Sequence, residues 1–600
     1  VARVYYYGIE FPEGTNASNT KMELTPTDHG AVVRFTFPKD AQHKNVIFDS
    51  INGSDDGSII EYDMETNSFK ARTNHTSYGL KDMYIYGTFD KPMTYTRTAN
   101  NRQGIASFED EVVEMKVATS FISFEQAKHN IELEINDNDF NTIYDQALKT
   151  WDDKLDVVEV EGGSYDQKVS LYSNMYRMFM YPNLLSENTG TNENPVWKYS
   201  SPYGGSNEKP EVVEGKMYYN NGFWDTYRAA WPAYSIFSMD KSSELLNGLV
   251  QHYKDTDWVP RWSAPGGTYF MSGTSSDIVF ADAMKKGIAF DQEGAFKSMI
   301  KNGAVVSDDS NYGRKQLSTA IFRGYTSKEQ DTGFSWSMEG YNNDYGISEM
   351  ARELGYEDEA VYYANRAMNY VNLFDKQSDD VNDMWFKGKD AAGNWYGPSL
   401  NDVNTFDPRY WGDNYDEANA YVWSVGVTYD GQGLANLYGG RDKLAEKLDT
   451  IFETKGEING FGADMDGYGY GHKEPKEARE VKMGQYNQSN QTAYHIIYMY
   501  NYAGQPWKTQ KYVRDSLDRC FIGSEIGQGM IGDEDNGAGG AWYVFSALGF
   551  YPIMGTNEYM IGSPIFDKAI IHLDNGKDIT ITANGNSKEN VYIQNVTLNG

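Results

Sequence analysis

Residues 357–374 read EDEAVYYANRAMNYVNLF. Ala360, Tyr363, Ala364, Ala367, Tyr370, Val371 and Phe374 recur at i, i+3, i+4 and i+7. That spacing puts one apolar stripe on an amphipathic helix. RDKLAEKLDTIF at 441–452 repeats the pattern with Leu444, Leu448, Ile451 and Phe452. TIYDQALKTWDDKL at 142–155 and YDQKVSLYSNMYRMFM at 165–180 are helical in period as well. Between such runs lie long loops rich in Gly, Asp and Tyr. Long helices alternating with long loops predict a helical barrel or toroid, with the functional loops gathered at one end.

On both sides of this region the period changes to two. VVRFTF at 32–37 alternates Val33, Phe35 and Phe37, and EVVEMKVAT at 111–119 alternates Val113, Met115 and Val117. Polar turn clusters such as INGSDDGS at 51–58 separate these runs, so residues 1–140 are predicted to form a β-sandwich. After 560 the alternation returns. KAIIHLDNGKDITITANG at 568–585 holds an Asp574-Asn575-Gly576 turn between two strand-like runs, and NVYIQNVTLNG at 590–600 reads as another strand. The predicted order is a sandwich at 1–140, a helical linker at 141–164, a barrel at 165–560, and a C-terminal β segment at 561–600 that rejoins the sandwich.

With 600 residues the chain needs more than one packed unit. Its net charge of -33 opposes phosphate backbones, so nucleic acid is excluded as a partner. No apolar run approaches the roughly 20 residues of a membrane span. The single cysteine, Cys520, leaves no intrachain disulfide and no Cys-based zinc site. Aromatic residues make up 15%, with 47 Tyr and 13 Trp. That suits either aromatic-heavy cores or a carbohydrate handler, whose rings stack on the C–H faces of sugars, and composition leaves both open.

Four segments concentrate chemistry. In GDEDNGAGGAWYVFSALGFYP at 532–552, Asp533, Glu534 and Asp535 stand before a glycine-rich helix start. Acids there suit the positive end of a helix. A calcium loop of EF-hand type fails, because its twelfth position is Val544 and not Glu. Paired carboxylates around a water would make a general base. In NGFWDTYRAAWP at 221–232, Trp224, Asp225 and Arg228 make either a core ion pair or a sugar clamp. In YDEANAYVWSV at 415–425, Glu417 precedes aromatic residues that would desolvate it and suit it to acid catalysis. In YNQSNQTAYH at 486–495, Gln488, Asn490 and Gln491 are amides rather than acids, and such carbonyls ligate Ca²⁺ weakly. No zincin, P-loop or nucleophile-elbow motif occurs.

These segments, together with SMEGYNNDYGISEMARELG at 337–355 and YMYNYAGQPWKTQKYVR at 498–514, resemble glycoside hydrolase family 92 in one continuous order. The resemblance implies a sandwich packed on an (α/α)6 barrel, with the active site between them. It implies calcium-dependent removal of terminal α-mannose with inversion. Glu417 matches the acid, and Asp533 and Asp535 match the positions that activate water. The two carboxyl sets of an inverting enzyme stand roughly 6.5–9.5 Å apart. Trp224, Asp225, Arg228, Asp277 and Gln488 are the sugar-binding candidates, and Asn490 and Gln491 the Ca²⁺ ligands.

This chain departs from the family pattern in several places. The usual G-N-E-P reads Ser489-Asn490-Gln491-Thr492, which removes a charge from the metal region, and Gln488 stands where some members have His. The usual Gln-Met-Ser reads Ala538-Gly539-Gly540, which is expected to open space near the base. The family's opening Gly/Pro-rich segment and last β segment are not in the sequence, so the chain reads as a piece of a longer protein. The expected substrates are mannose-containing N-glycan or mannan chains, and the expected address is extracellular or cell-surface. Two other readings remain: a hydrolase of mannosyl-phosphate-linked mannose, and a non-catalytic Ca²⁺-assisted mannose-binding module.

Overall fold

The computed structural model describes residues 1–49, 59–73, 80, 82–97, 103–204, 210–397, 406–455, 473–524 and 527–599. The chain divides into two compact units. One comprises Val1–Asp156, Asn183–Tyr219 and Ala264–Gly266, and the other Val157–Pro182, Asn220–Ser263 and Gly267–Gly600. The polar turn expected at 51–58 lies outside the described residues.

The first unit is built on antiparallel sheet. Its larger sheet runs in the order 2–3, 6–10, 21–26, 30–36, 112–120, 83–89, 68–73, 59–63, and a smaller one joins 45–49, 103–107 and 94–97. The alternating runs pair as their period requires, with Val113 opposite Phe35 and Met115 opposite Val33. Val33, Phe69, Phe89, Val113 and Met115 from the larger sheet, with Phe37 just past its strand 30–36, bury with Val46 and Ala106 from the smaller, which makes the sandwich core. Two helices, Phe124–Glu134 and Phe140–Leu155, bury Ile131, Ile135, Phe140 and Ile143 against Val32 and Ala118. The first of these falls inside the 1–140 stretch expected to be all β. Ser123 and Asp139 cap the two helices through side-chain oxygens. The segment 183–219, expected within the barrel, forms short strands of this first unit.

The second unit is helical. Amphipathic outer helices and buried inner ones alternate along the chain. The outer helices are Tyr165–Met178, Met239–Thr256, Gln292–Ala304, Glu357–Ala367, Arg441–Glu453 and Pro506–Cys520. The inner ones include Ala230–Phe237, Ser276–Lys285, Gly333–Leu354 and Ala538–Leu548, whose residues are almost all buried. Inner helices pack in succession, 538–548 on 230–237, 230–237 on 276–285, and 276–285 on 333–354. Helix 538–548 also packs on 165–178, so the last helix closes onto the first. A capping box between Ser164 and Gln167 starts the ring.

The helix expected over 357–374 ends at Ala367 and continues as a 3-10 turn, Met368–Leu373. Ala360, Tyr363, Ala367 and Tyr370 are buried as the spacing predicts. The tighter turn then rotates the face, so Leu373 is buried while Val371 is exposed.

The hairpin at Asp574-Asn575-Gly576 forms, joining Lys568–His572 to Asp578–Thr582. Its strands do not rejoin the sandwich sheets. Lys568–His572 pairs instead with Val158–Glu161 in a separate three-stranded sheet of the second unit. Residues 590–599, read as a strand, carry no strand; loop bonds such as Ile593 N–H to Gln510 tie them down.

Candidate active site

Glu417 sits in a tight loop, where Gly412 N–H donates to the Ala418 carbonyl and Tyr415 N–H to that of Gly412. Tyr415 is fully buried and donates to the Phe386 carbonyl at 2.8 Å. Glu417 adopts φ +43°, a left-handed conformation a non-glycine residue keeps only where its surroundings impose it. The Asn490 side-chain amide donates to Glu417 Oε2 at 2.5 Å, and Thr492 Oγ1 donates to the Glu417 carbonyl at 3.2 Å. Burial pushes the Glu417 carboxyl above its usual range, and the charges of Asp416 and Asp535 add to the push. Asp416 accepts from Ser272 N–H at 2.7 Å, and burial raises it to about 6.

The three acids at 533–535 divide into three roles. The Asp533 side chain is 64% exposed and pairs with Lys473. Glu534 turns inward and accepts from Gly537 N–H at 2.8 Å and Gly540 N–H at 3.3 Å, at the start of helix Ala538–Leu548. Burial raises Glu534 to about 7. Asp535 accepts from the Gln491 side-chain amide, and burial together with the Asp533 charge raises its pKa. Asp535, Asn536 and Gly537 are consecutive left-handed residues, a turn that ends where helix Ala538–Leu548 begins. The glycines open no space near the base. A Cβ on Gly540 would stand 2.5 Å from the Asn174 carbonyl oxygen and 3.3 Å from Glu534 Oε1, and one on Gly539 2.5 Å from the Met530 side-chain methyl. Neighbouring backbone and the Met530 side chain fill the room that these missing side chains leave.

Asp225 is fully buried and accepts from Trp262 Nε1 at 2.8 Å. Burial raises its carboxyl well above the ordinary range, and the charges of Asp535 and Glu417 raise it further. Asp225, Glu417 and Asp535 are therefore electrostatic neighbours, with Asn490 on Glu417 and Gln491 on Asp535. Asp533 lies at the exposed edge of this group.

The remaining candidates serve elsewhere. Trp224 is 2% exposed, too buried to offer a ring face as a stacking wall. Arg228 pairs with Glu339, donates to the Trp224 carbonyl at 2.7 Å and lies over the Tyr227 ring. It is the core ion pair of the alternative reading, with Glu339 rather than Asp225 as partner. Asp277 is spent in a buried network, bonded to Arg314 at 3.1 Å, Thr274 at 2.8 Å and Asn302 at 2.9 Å. The Gln488 side-chain carbonyl accepts from Tyr486 and Ser516, so it faces helix Pro506–Cys520.

The sequence points to Glu534 only as one of three acids before a helix, and does not point to Asp416, Trp262 or Glu339 as site residues. Glu534 carried a signal, an acid three residues before a glycine at a helix start. Trp262 carried none, because its partner Asp225 lies 37 positions away.

Calcium needs oxygen ligands. Gln491 Oε1 and Asn487 Oδ1 are buried oxygens without a hydrogen-bond partner, and the Asp535 carboxylate adjoins Gln491. Among the described residues no group of three His, Cys, Asp or Glu side chains could hold a metal. The donor set fits a hard cation held by amide oxygens near one carboxylate, and does not fit a softer metal held by nitrogen or sulfur.

Residues 126–600 match the glycosyl hydrolase family 92 catalytic domain, and residues 1–135 match the family's N-terminal domain. The chain belongs to glycosyl hydrolase family 92. It is similar to a family GH92 inverting mannosidase of Bacteroides thetaiotaomicron, with 31% identity and a TM-score of 0.84 over 98% of this chain and 78% of that one. A family GH92 α-mannosidase from the same organism, solved in complex with mannoimidazole, shares the fold at 23% identity and a TM-score of 0.82, over 98% of this chain and 76% of that one. An uncharacterized secreted glycosidase of Arthroderma benhamiae is 26% identical over all of this chain and 76% of its own length. This family 92 chain is a glycosidase with a β-sandwich and a helical barrel. No described helix is long and apolar enough to cross a membrane.

Proposed function

We propose that the protein is an exo-acting α-mannosidase that removes terminal α-linked mannose from N-glycan or mannan type glycans with inversion. The observation that carries this reading is a set of two half-buried carboxyls, Glu417 and Asp535, each raised by desolvation and each held by its own amide, Asn490 and Gln491. Glu417 holds the proton it gives to the departing glycosidic oxygen. Asp535, with Asp533 beside it, takes a proton from the attacking water. The water oxygen bonds to the anomeric carbon as the bond to the leaving oxygen breaks, in one displacement. Asp225, biased toward its protonated form, can donate a hydrogen bond to a sugar oxygen as well as accept one.

Gln491 Oε1 and Asn487 Oδ1 would hold a Ca²⁺ ion, whereas the Asn490 side-chain oxygen, expected as a ligand, already accepts from Thr492 N–H and Oγ1. Bound there, it would supply a positive charge that orients the sugar hydroxyls. The secreted name of the Arthroderma relative supports an extracellular address.

Mannose release from α-1,2-, α-1,3-, α-1,4- and α-1,6-mannobioses, with Ca²⁺ and with a chelator, tests the reading. Release that the chelator suppresses supports it and names the linkage. Release from none of them overturns it in favour of the phosphodiester or binding-module readings.

A further inference from the structure

An aromatic pair, Tyr269 and Phe270, stands exposed beside the candidate catalytic group. Phe270 is 43% exposed and Tyr269 41%. Two contacts tie this stretch to the site carboxyls. Two residues on, Ser272 N–H donates to Asp416 at 2.7 Å, and Asp416 is the chain neighbour of Glu417. Trp262 donates to Asp225 at 2.8 Å and meets Phe270 edge to face, with ring centroids 5.8 Å apart at 76°. Trp262 and Thr268 are register partners in the same small sheet, so the backbone fixes this arrangement. Met271 takes φ +54°, which turns the chain between the exposed Phe270 and the buried Ser272. Arg261 and Lys315 each place a cation 4.7 Å from the Tyr269 ring centroid and so hold that ring in place.

Phe270 and Tyr269 are chain neighbours, both exposed, and Trp262 braces the Phe270 ring from one edge. The acid acts on the leaving oxygen, and the loop that carries these rings is tethered to the acid's chain neighbour. A pyranose ring presents an apolar C–H face, and an aromatic ring is its natural platform. We propose that Phe270, braced by Trp262, is a stacking subsite for the sugar ring on the leaving side of the scissile bond. The proposal rests on the α-mannosidase reading above. It makes the enzyme selective for a glycan leaving group over a leaving group without a ring.

The test compares α-mannosyl fluoride, which has no ring on the leaving side, with the preferred mannobiose, using wild type, Phe270→Ala and Phe270→Trp. Circular dichroism melting checks that each variant is folded. We expect Phe270→Ala to lose at least tenfold more kcat/KM on the disaccharide than on the fluoride, mostly through KM, and Phe270→Trp to restore most of it. Equal loss on both substrates, or none on either, overturns the subsite while leaving the α-mannosidase reading in place. A wild type inactive on both substrates refutes that reading, and the subsite falls with it.

Discussion

The side-chain amide of Asn490 donates to Glu417 Oε2 at 2.5 Å, across 73 residues of chain. This bond favours the ionised carboxylate, against the burial that favours the acid. Removing it leaves burial and the neighbouring charges to act alone. Asn490→Ala should therefore move the alkaline limb of kcat/KM to higher pH, and lower the maximum because the acid loses its orientation. A pH profile on a natural mannobiose checks this.

Glu417→Gln cannot give up a proton. It should cost about 10²–10⁴-fold in kcat on a mannobiose. The loss should be much smaller on α-mannosyl fluoride, whose leaving group departs without an acid. Unchanged turnover of the disaccharide would remove Glu417 from the acid role.

Asp535 is half-buried and held by Gln491, whereas Asp533 is exposed and paired with Lys473. Asp535→Asn should cost about 10²–10⁴-fold in kcat, and Asp533→Asn less. Parallel kinetics of the two variants decide the order.

Burial raises Glu534 from 4.5 to about 7. Between those values the folded protein binds more protons than the unfolded chain, so stability falls as pH rises across that window. The full contribution is on the order of 3 kcal/mol. Glu534→Gln does not titrate. The Tm of wild type minus that of Glu534→Gln should fall between about pH 4.5 and pH 7 and level off above, which a melting series over pH measures.

Gln491 supplies a neutral oxygen where a carboxylate would bind a hard cation more tightly. Gln491→Glu should raise Ca²⁺ affinity about tenfold, following the dependence on ligand charge. Titration calorimetry with Ca²⁺ alone reads it without reference to activity.

Periodicity made the sandwich strands and the helices legible. Val33 and Met115 pair as their alternation requires, and Leu444, Leu448 and Ile451 are buried as their spacing requires. Periodicity does not name a strand's partner. The C-terminal hairpin was therefore legible, while its pairing with Val158–Glu161 was not. At the site, the acids of 417 and 533–535 stood out as residue types. Their directions depend on backbone turns at Glu417 and Asp535–Gly537 that composition does not encode. Arg228 shows the same limit. The sequence leaves it between a core ion pair and a sugar clamp, and only the helix Gly333–Leu354, which carries Glu339, decides for the ion pair.

The most direct test of a single-displacement mechanism is the anomer first released. Hydrolysis of the preferred α-mannobiose followed by proton NMR, before mutarotation mixes the anomers, should show β-mannose appearing first. First appearance of α-mannose would mean a two-step, retaining reaction and would contradict the roles given to Glu417 and Asp535.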